Sequence, residues 1–242
     1  MNDKKLDMGR HTLEGNPPID VILRHSARAK RLSLRISRLD GRVTLTMPRR
    51  APEREGIAFL RTKEAWLRGH LQDMKPATPV VVGQSIPFRG SPTPIVVGQG
   101  RRARIKTDHI VVSAFSPVAP QVKALMRHAA RDALAATSDK YAHQLGRTYQ
   151  RLSIRDTRSR WGSCSSEGAL MYSWRLIMAP PAVLDYVAAH EVAHLVEMNH
   201  QPAFWDVVAR LCPDFEDHRR WLRTEGDHLH RIAFDDRPAC NL

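Results

Sequence analysis

His190, Glu191 and His194 form an H-E-x-x-H pattern, and His200 follows six residues after the second histidine. On a helix, residues four apart share a face, so both imidazoles can reach one Zn²⁺. A glutamate next to the first histidine can then point at a water on that ion, where a hydrolase needs a base. Three protein ligands plus water is the arrangement of a catalytic zinc, whereas structural sites are usually closed by four. The expected roles are His190, His194 and His200 as metal ligands and Glu191 as general base. The plainer alternative is a pair of hydrogen-bonded core histidines.

These side chains need a helix that is largely buried. Val183, Leu184, Val187, Ala188, Val192, Leu195 and Val196 surround the pattern, and Pro180-Pro181 suit a first helical turn. Asp185 lies near the positive N-terminal end. Polar groups in such a helix are costly unless partnered, and a shared metal supplies a partner. The helix is expected to end near Met198-Asn199, with Asn199 in the left-handed conformation that swings His200 back toward the ion. Metzincins place a glycine where this chain has Glu197, which argues against that clan.

The segment from Arg158 to Trp205 resembles the YgjP-like zinc metallopeptidases, which are WLM- and SprT-related. The residues that carry the resemblance are Ser159-Arg160-Trp161-Gly162-Ser163-Cys164-Ser165, Ser173-Trp174-Arg175-Leu176, Pro180-Pro181, Asp185-Tyr186-Val187, His190-Glu191 with His194, Asn199-His200 and Phe204-Trp205. A weaker likeness runs through Ser26-Ala27-Arg28-Ala29-Lys30-Arg31-Leu32. The resemblance implies a zincin fold, a zinc cofactor, and a peptide or protein substrate. It also implies that a strand beside the metal pairs with an extended peptide, a role expected of Leu170 to Ser173.

The amino-terminal half reads mainly as strands. Leu32, Leu34 and Ile36 alternate with polar residues, and Asp40-Gly41 turns the chain into Val43, Leu45 and Met47. From Pro52 to Met74 the period becomes helical, with Glu64 out of place in an apolar stripe of Ile57, Leu60, Leu67 and Leu71. Val80-Val82, Ile86-Phe88, Ile95-Val97 and Ile110-Val112 are short strands. A long helix spans about 118–145, and strands are expected at Leu152-Ile154 and Ala169-Trp174, separated by a loop from Arg158 to Glu167. The expected class is α+β: a zincin-like helical core over 116–242, a β-rich basic unit over 19–115, and a mobile tail over 1–18.

Charge is uneven along the chain. Residues 1–110 carry 22 Lys and Arg against 10 Asp and Glu, and the remainder 16 against 15, so nearly the whole excess lies in the amino-terminal half. Such a surface would attract nucleic acid through sequence-independent phosphate contacts. A solvated basic surface explains it equally well, and no motif for specific recognition accompanies it. With 42% hydrophobic and 26% charged residues and no long apolar run, the composition is that of a soluble protein without a membrane span. Cys164, Cys212 and Cys240 form no C-x-x-C pair, and the expected setting is the reducing cytoplasm.

Other polar residues have weaker functional readings. Tyr172, Tyr186, Arg160 and His228 are candidates for oxyanion stabilisation, Cys164 for a metal contact, and Trp161 and Trp174 for anchors. Phe204, Trp205, Val208 and Leu211 recur at helical spacing and should pack beneath the site. His218, His228 and His230, with Asp214, Glu216 and Asp227, are too loosely spaced to read as a second metal site. The leading reading is a zinc metallopeptidase. Alternatives are a zinc-containing, nucleic-acid-associated binding protein with weak or no peptidase activity, and a zinc hydrolase acting on a non-peptide amide.

Overall fold

A computed structural model describes residues 8–37, 41–73 and 77–234. They divide into two units at Ala77/Thr78. The division falls well before residue 115, where the sequence suggested it. Residues 78–115 group with the histidine-bearing helix because their strands share its core.

In the first unit, β1 (Met8–Leu13), β2 (Ile19–Ser26), β3 (Ser33–Ile36) and β4 (Val43–Pro48) form one sheet in the order β1-β2-β4-β3. Residues 8–13, expected in a tail, are thus a strand pairing antiparallel with β2. Residues 1–7 lie outside the described residues. The hairpin expected around Asp40-Gly41 is present as the antiparallel β3–β4 pair, although its turn at 38–40 also lies outside them. Val21, Leu23, Val43, Leu45 and Met47 alternate onto one face of the sheet. That face packs with Leu60 of α1 (Glu53–Thr62) and Leu67 of α2 (Glu64–Gln72). The one helix read from the sequence is therefore two, broken at Lys63. Glu64, the misfit of the stripe, begins α2, where its charge suits a helix N-terminus and accepts from Arg68 Nε at 2.9 Å.

In the second unit, β5 (Thr78–Pro79) precedes β6 (Ser85–Phe88), β7 (Ser91–Gly98), β8 (Arg104–Ile105) and β9 (Ile110–Ser113). The last four form a sheet in the order β6-β7-β9-β8. Val80–Val82 are not a strand: Val80 turns into the core, and Val81 and Val82 are exposed. Helix α3 (Val118–Gln144) places Val122, Met126, Ala130 and Leu134 in the core. Next come β10 (Arg151–Arg155), β11 (Gly162–Cys164) and β12 (Ala169–Ser173), arranged β10-β12-β11. Strand β12 is therefore the middle strand, parallel to β10 and antiparallel to β11. Leu170 to Ser173 have no free edge to offer a peptide. The edges belong to β10 and to β11, the latter formed within the segment read as a loop.

A 3-10 turn, Trp174–Met178, leads into α4 (Pro181–Ala193), the helix that carries His190 and Glu191. Helices α5 (Pro202–Leu211), α6 (Phe215–Thr224) and α7 (Gly226–Arg231) follow, and β13 (Ile232–Ala233) closes onto β5. The end of this last stretch depends on Arg175 in the turn. Its guanidinium is buried, donates to the Leu229 and Ile232 carbonyls at 2.7 and 3.1 Å, and lies over the Trp174 and Phe234 rings. Burial pushes the Asp156 carboxyl up, but hydrogen bonds and charge from Arg175 outweigh it and hold the group below its usual range. Replacing Arg175 with Met is expected to destabilise this unit by about 1–3 kcal/mol for each buried carbonyl left without a donor. Urea unfolding followed by Trp fluorescence measures it, and an unchanged midpoint would show that the clamp does not hold the segment.

Candidate active site

Helix α4 begins with Pro181 in its first turn and is buried nearly all round by Val183, Leu184, Val187, Ala188, Ala189, Val192 and Ala193. Asp185 is held by the Tyr141 hydroxyl, which ties α4 to α3. The helix stops at Ala193, five residues before the expected end. A tight turn follows, in which the Leu195 and Val196 N–H groups bond to Val192 and Ala193 carbonyls. Asn199 does not close it in a left-handed conformation, since among the described residues only Arg89 outside glycine has positive φ. Its side-chain oxygen instead accepts from the Gln201 N–H at 3.1 Å, just ahead of α5. The result for His200 is nevertheless the one the sequence suggested: it folds back onto His190 and His194.

One potential ligand nitrogen from each of the three imidazoles lies within 4.8 Å of the others. His190 Nε2 and His200 Nε2 are 3.1 Å apart. His194 Nδ1 lies 3.0 Å from the Glu197 carbonyl, which fixes the proton on Nδ1 and leaves Nε2 with a lone pair. Phe204 forms the floor, fully buried, with ring centroids 4.9, 4.5 and 4.7 Å from His190, His194 and His200. Trp205 borders His190 and His200, and Val208 and Leu211 continue the buried face of α5, as the helical spacing indicated.

The surroundings favour the uncharged forms of His190 and His194. Burial, then the neighbouring His194 and His200, push His190 down to about 3. Burial also lowers His194, outweighing its bond to the Glu197 carbonyl. Neutral imidazole is the metal-binding form. Glu191 is buried, and that burial raises its carboxyl to about 8 against the opposing charge of Arg160. Among the described residues, His190, His194 and His200 alone converge closely enough to share a metal ion. Cys164 is not part of the cluster; burial, with the Glu191 charge, raises its thiol to about 11. His218, His228 and His230 gather no second site. His230 stacks on Trp161 at 4.9 Å, and His228 sits 3.9 Å from Glu225.

The oxyanion candidates separate as well. The Tyr172 hydroxyl is fully buried against Ser138 at 3.0 Å, so it is structural. Tyr186 lies beside His190 with centroids 6.0 Å apart, and Arg160 acts on Glu191 through its field. His228 has its own acidic neighbour. Trp174 is a core residue, and Trp161 packs against His230 and Gly226.

One close approach escaped the sequence reading. A Cβ on Gly162 would stand 2.5 Å from Glu191 Oε1 and 2.6 Å from its Cγ. Strand β11 can approach the carboxyl only because this position is glycine. The glycine was visible within the Trp161-Gly162-Ser163 run, but nothing in the sequence paired it with Glu191.

The chain belongs to the YgjP-like family: residues 30–225 match its metallopeptidase domain. Membership makes it a metallopeptidase, a hydrolase that uses a metal ion on peptide or protein substrates. No curated protein matches the chain. The crystal structure of the metallopeptidase zymogen of Pyrococcus abyssi abylysin matches at 19% identity, over 38% of this chain and 95% of that one, with a TM-score of 0.33. A likeness that low carries no fold argument. No helix among the described residues is long and apolar enough to cross a membrane.

Gly162→Ala must displace the Glu191 carboxyl; for a carboxyl that takes part in the reaction, an error of about 1 Å can lower turnover ~100-fold, and an unchanged kcat on a peptide substrate would refute that part. In metal-free protein the same carboxyl couples stability to pH. Glu191 titrates at 4.5 unfolded and about 8 folded, so the folded chain holds an extra proton between them and stability falls as pH rises through that window. His190 acts oppositely between about 3 and 6.5, where stability rises with pH. From pH 6.5 to 8 the Glu191 slope stands alone of the two, and Glu191→Gln is expected to flatten it. Equal slopes in thermal unfolding of both proteins would contradict the carboxyl shift.

Proposed function

We propose that this metallopeptidase is zinc-dependent, with His190, His194 and His200 as the ligands and Glu191 as the general base. The observation that carries the reading is the convergence of three imidazoles, two of them driven toward the neutral form by burial, beside a buried carboxyl. One nitrogen from each ring lies within 4.8 Å of the others, so His190, His194 and His200 would be the residues to hold the ion. The donor set suits zinc, a borderline ion bound well by imidazole.

The chemistry zinc supplies here is Lewis acidity, which polarises the scissile carbonyl, lowers the pKa of water and favours the carboxylate form of a neighbouring acid. Glu191 takes the proton from the attacking water on a carboxylate oxygen and returns it to the leaving nitrogen. Burial against Gly162 keeps that oxygen in one place. The free edge of β11 is the surface on which an extended peptide would align by backbone hydrogen bonds. Tyr186, beside His190, is the better placed of the oxyanion candidates. Two free thiols, Cys164 and Cys212, support a reducing, cytoplasmic setting.

Metal analysis and cleavage of a peptide library by wild type, Glu191→Gln and His194→Ala test the assignment. Glu191→Gln is expected to keep zinc and lose about 10²–10⁴-fold in kcat. His194→Ala is expected to lose both metal and activity. Full zinc content in His194→Ala would remove that residue from the ligand set. Wild-type cleavage by Glu191→Gln would remove the base. No cleavage by any of the three would favour a zinc-containing binding protein.

A further inference from the structure

We infer that the open face of the first unit's sheet is a binding surface for the phosphate backbone of duplex nucleic acid. Strand alternation and register place three arginines on that face. Arg10 on β1 stands opposite Ile22 on β2, Ile22 opposite Thr44 on β4, and Thr44 opposite Arg35 on β3. In the adjacent row, Arg24 on β2 stands opposite Thr46, and Thr46 opposite Ser33. Arg10, Arg24, Ser33 and Arg35 are all exposed, while Leu13, Leu23, Leu34 and Ile36 on the same strands turn to the core on the other side.

The dimensions suit a phosphate lattice. Three strand spacings separate Arg10 from Arg35, about 14 Å in all, and Arg24 lies between them about 7 Å along the strand direction. Thr44, Thr46 and Ser33 add hydroxyl donors between the guanidinium groups, and both donor types serve in binding phosphate oxygens. Arg28, Lys30 and Arg31 are exposed in the loop joining β2 to β3, at the Arg24 end of the face. The acidic residue on the face, Asp20, lies toward the opposite end, where it accepts from the Thr12 hydroxyl at 2.8 Å.

The choice of partner comes from what the face lacks and what it holds. None of Arg10, Thr12, Asp20, Ile22, Arg24, Ser33, Arg35, Thr44 and Thr46 is aromatic, so unstacked bases would find no platform. Ile22 is a single apolar residue in its middle, too little to insert into a bilayer. Cationic and hydroxyl groups in a fixed array match a charged, regularly spaced backbone, and interactions of that kind carry no base sequence. This surface is built without the metal-binding residues, so its fate is separate from that of the peptidase assignment.

The test measures full-length protein binding to a fluorescent 20-base-pair DNA duplex from 50 to 300 mM NaCl. Its variants are Arg10→Gln/Arg24→Gln/Arg35→Gln, the same three positions changed to Lys, and Arg54→Gln/Arg61→Gln/Lys63→Gln. The last set removes equal charge from α1 and its junction, behind the core. Wild type is expected to bind two unrelated duplex sequences alike. The face Gln variant is expected to bind at least about tenfold more weakly at low salt, with a salt slope smaller by up to about 2.7, or about 0.9 for each phosphate no longer neutralised. The Lys variant and the control set should stay near wild type, and Glu191→Gln should bind unchanged. Equal losses in the face and control sets would reduce the effect to net charge and overturn the proposal. Binding confined to phosphatidylserine vesicles would overturn it in favour of a membrane surface. Circular dichroism of each variant checks the fold, and a folded face Gln variant with wild-type affinity would also overturn it.

Discussion

The site rests on taking two of its three converging imidazoles, His190 and His194, out of water, which disfavours their protonated forms. Burial and mutual proximity lower His190 to about 3, while the Glu197 carbonyl commits His194 to one tautomer. The same dry environment raises Glu191 to about 8. A set of lone pairs facing one another beside an acid held largely protonated is electrostatically incomplete, and a divalent cation would complete it from both sides. It would give the nitrogens a shared acceptor and would favour the carboxylate.

The surrounding elements serve that arrangement by removing freedom. Helix α4 is anchored at its start through Asp185 and the Tyr141 hydroxyl, and the tight turn after Ala193 brings His200 back within a few residues. Phe204 then touches all three rings from below, so their positions depend on a side chain of the next helix. From the sheet, β11 closes on the carboxyl through a position where any side chain would displace it. Arg175 holds the following segment, with Leu229 and Ile232, against the turn that launches α4.

The convergence of the three histidines was legible in the sequence because it is encoded by short spacing. His190 and Glu191 lie on one helix and His194 caps its end, and period and flanking prolines identify that helix. His200 was reached by the right expectation through a different turn: Asn199 caps forward into α5 instead of ending α4. Long-range pairing was not legible. Nothing local tells β12 that it will lie between β10 and β11, so the free edge was assigned to the wrong strand. Three residues, Gly162 to Cys164, are too few to show alternation inside a serine-rich run. Residues 8–13 alternate weakly and find strand structure through β2, and Glu64 broke an apolar stripe because a new helix begins there. The unit boundary moved for a similar reason: β6, β7 and β9 resemble the strands before them in sequence but share their core with α3 and α4.

Zinc K-edge X-ray absorption on the stoichiometric zinc-loaded protein tests the central claim most directly. The expected spectrum shows one ion with three imidazole nitrogens at about 2.0–2.1 Å and a light-atom fourth ligand, with the imidazole count falling in His200→Ala. A sulfur shell, or an imidazole count unchanged by loss of His200, would contradict it.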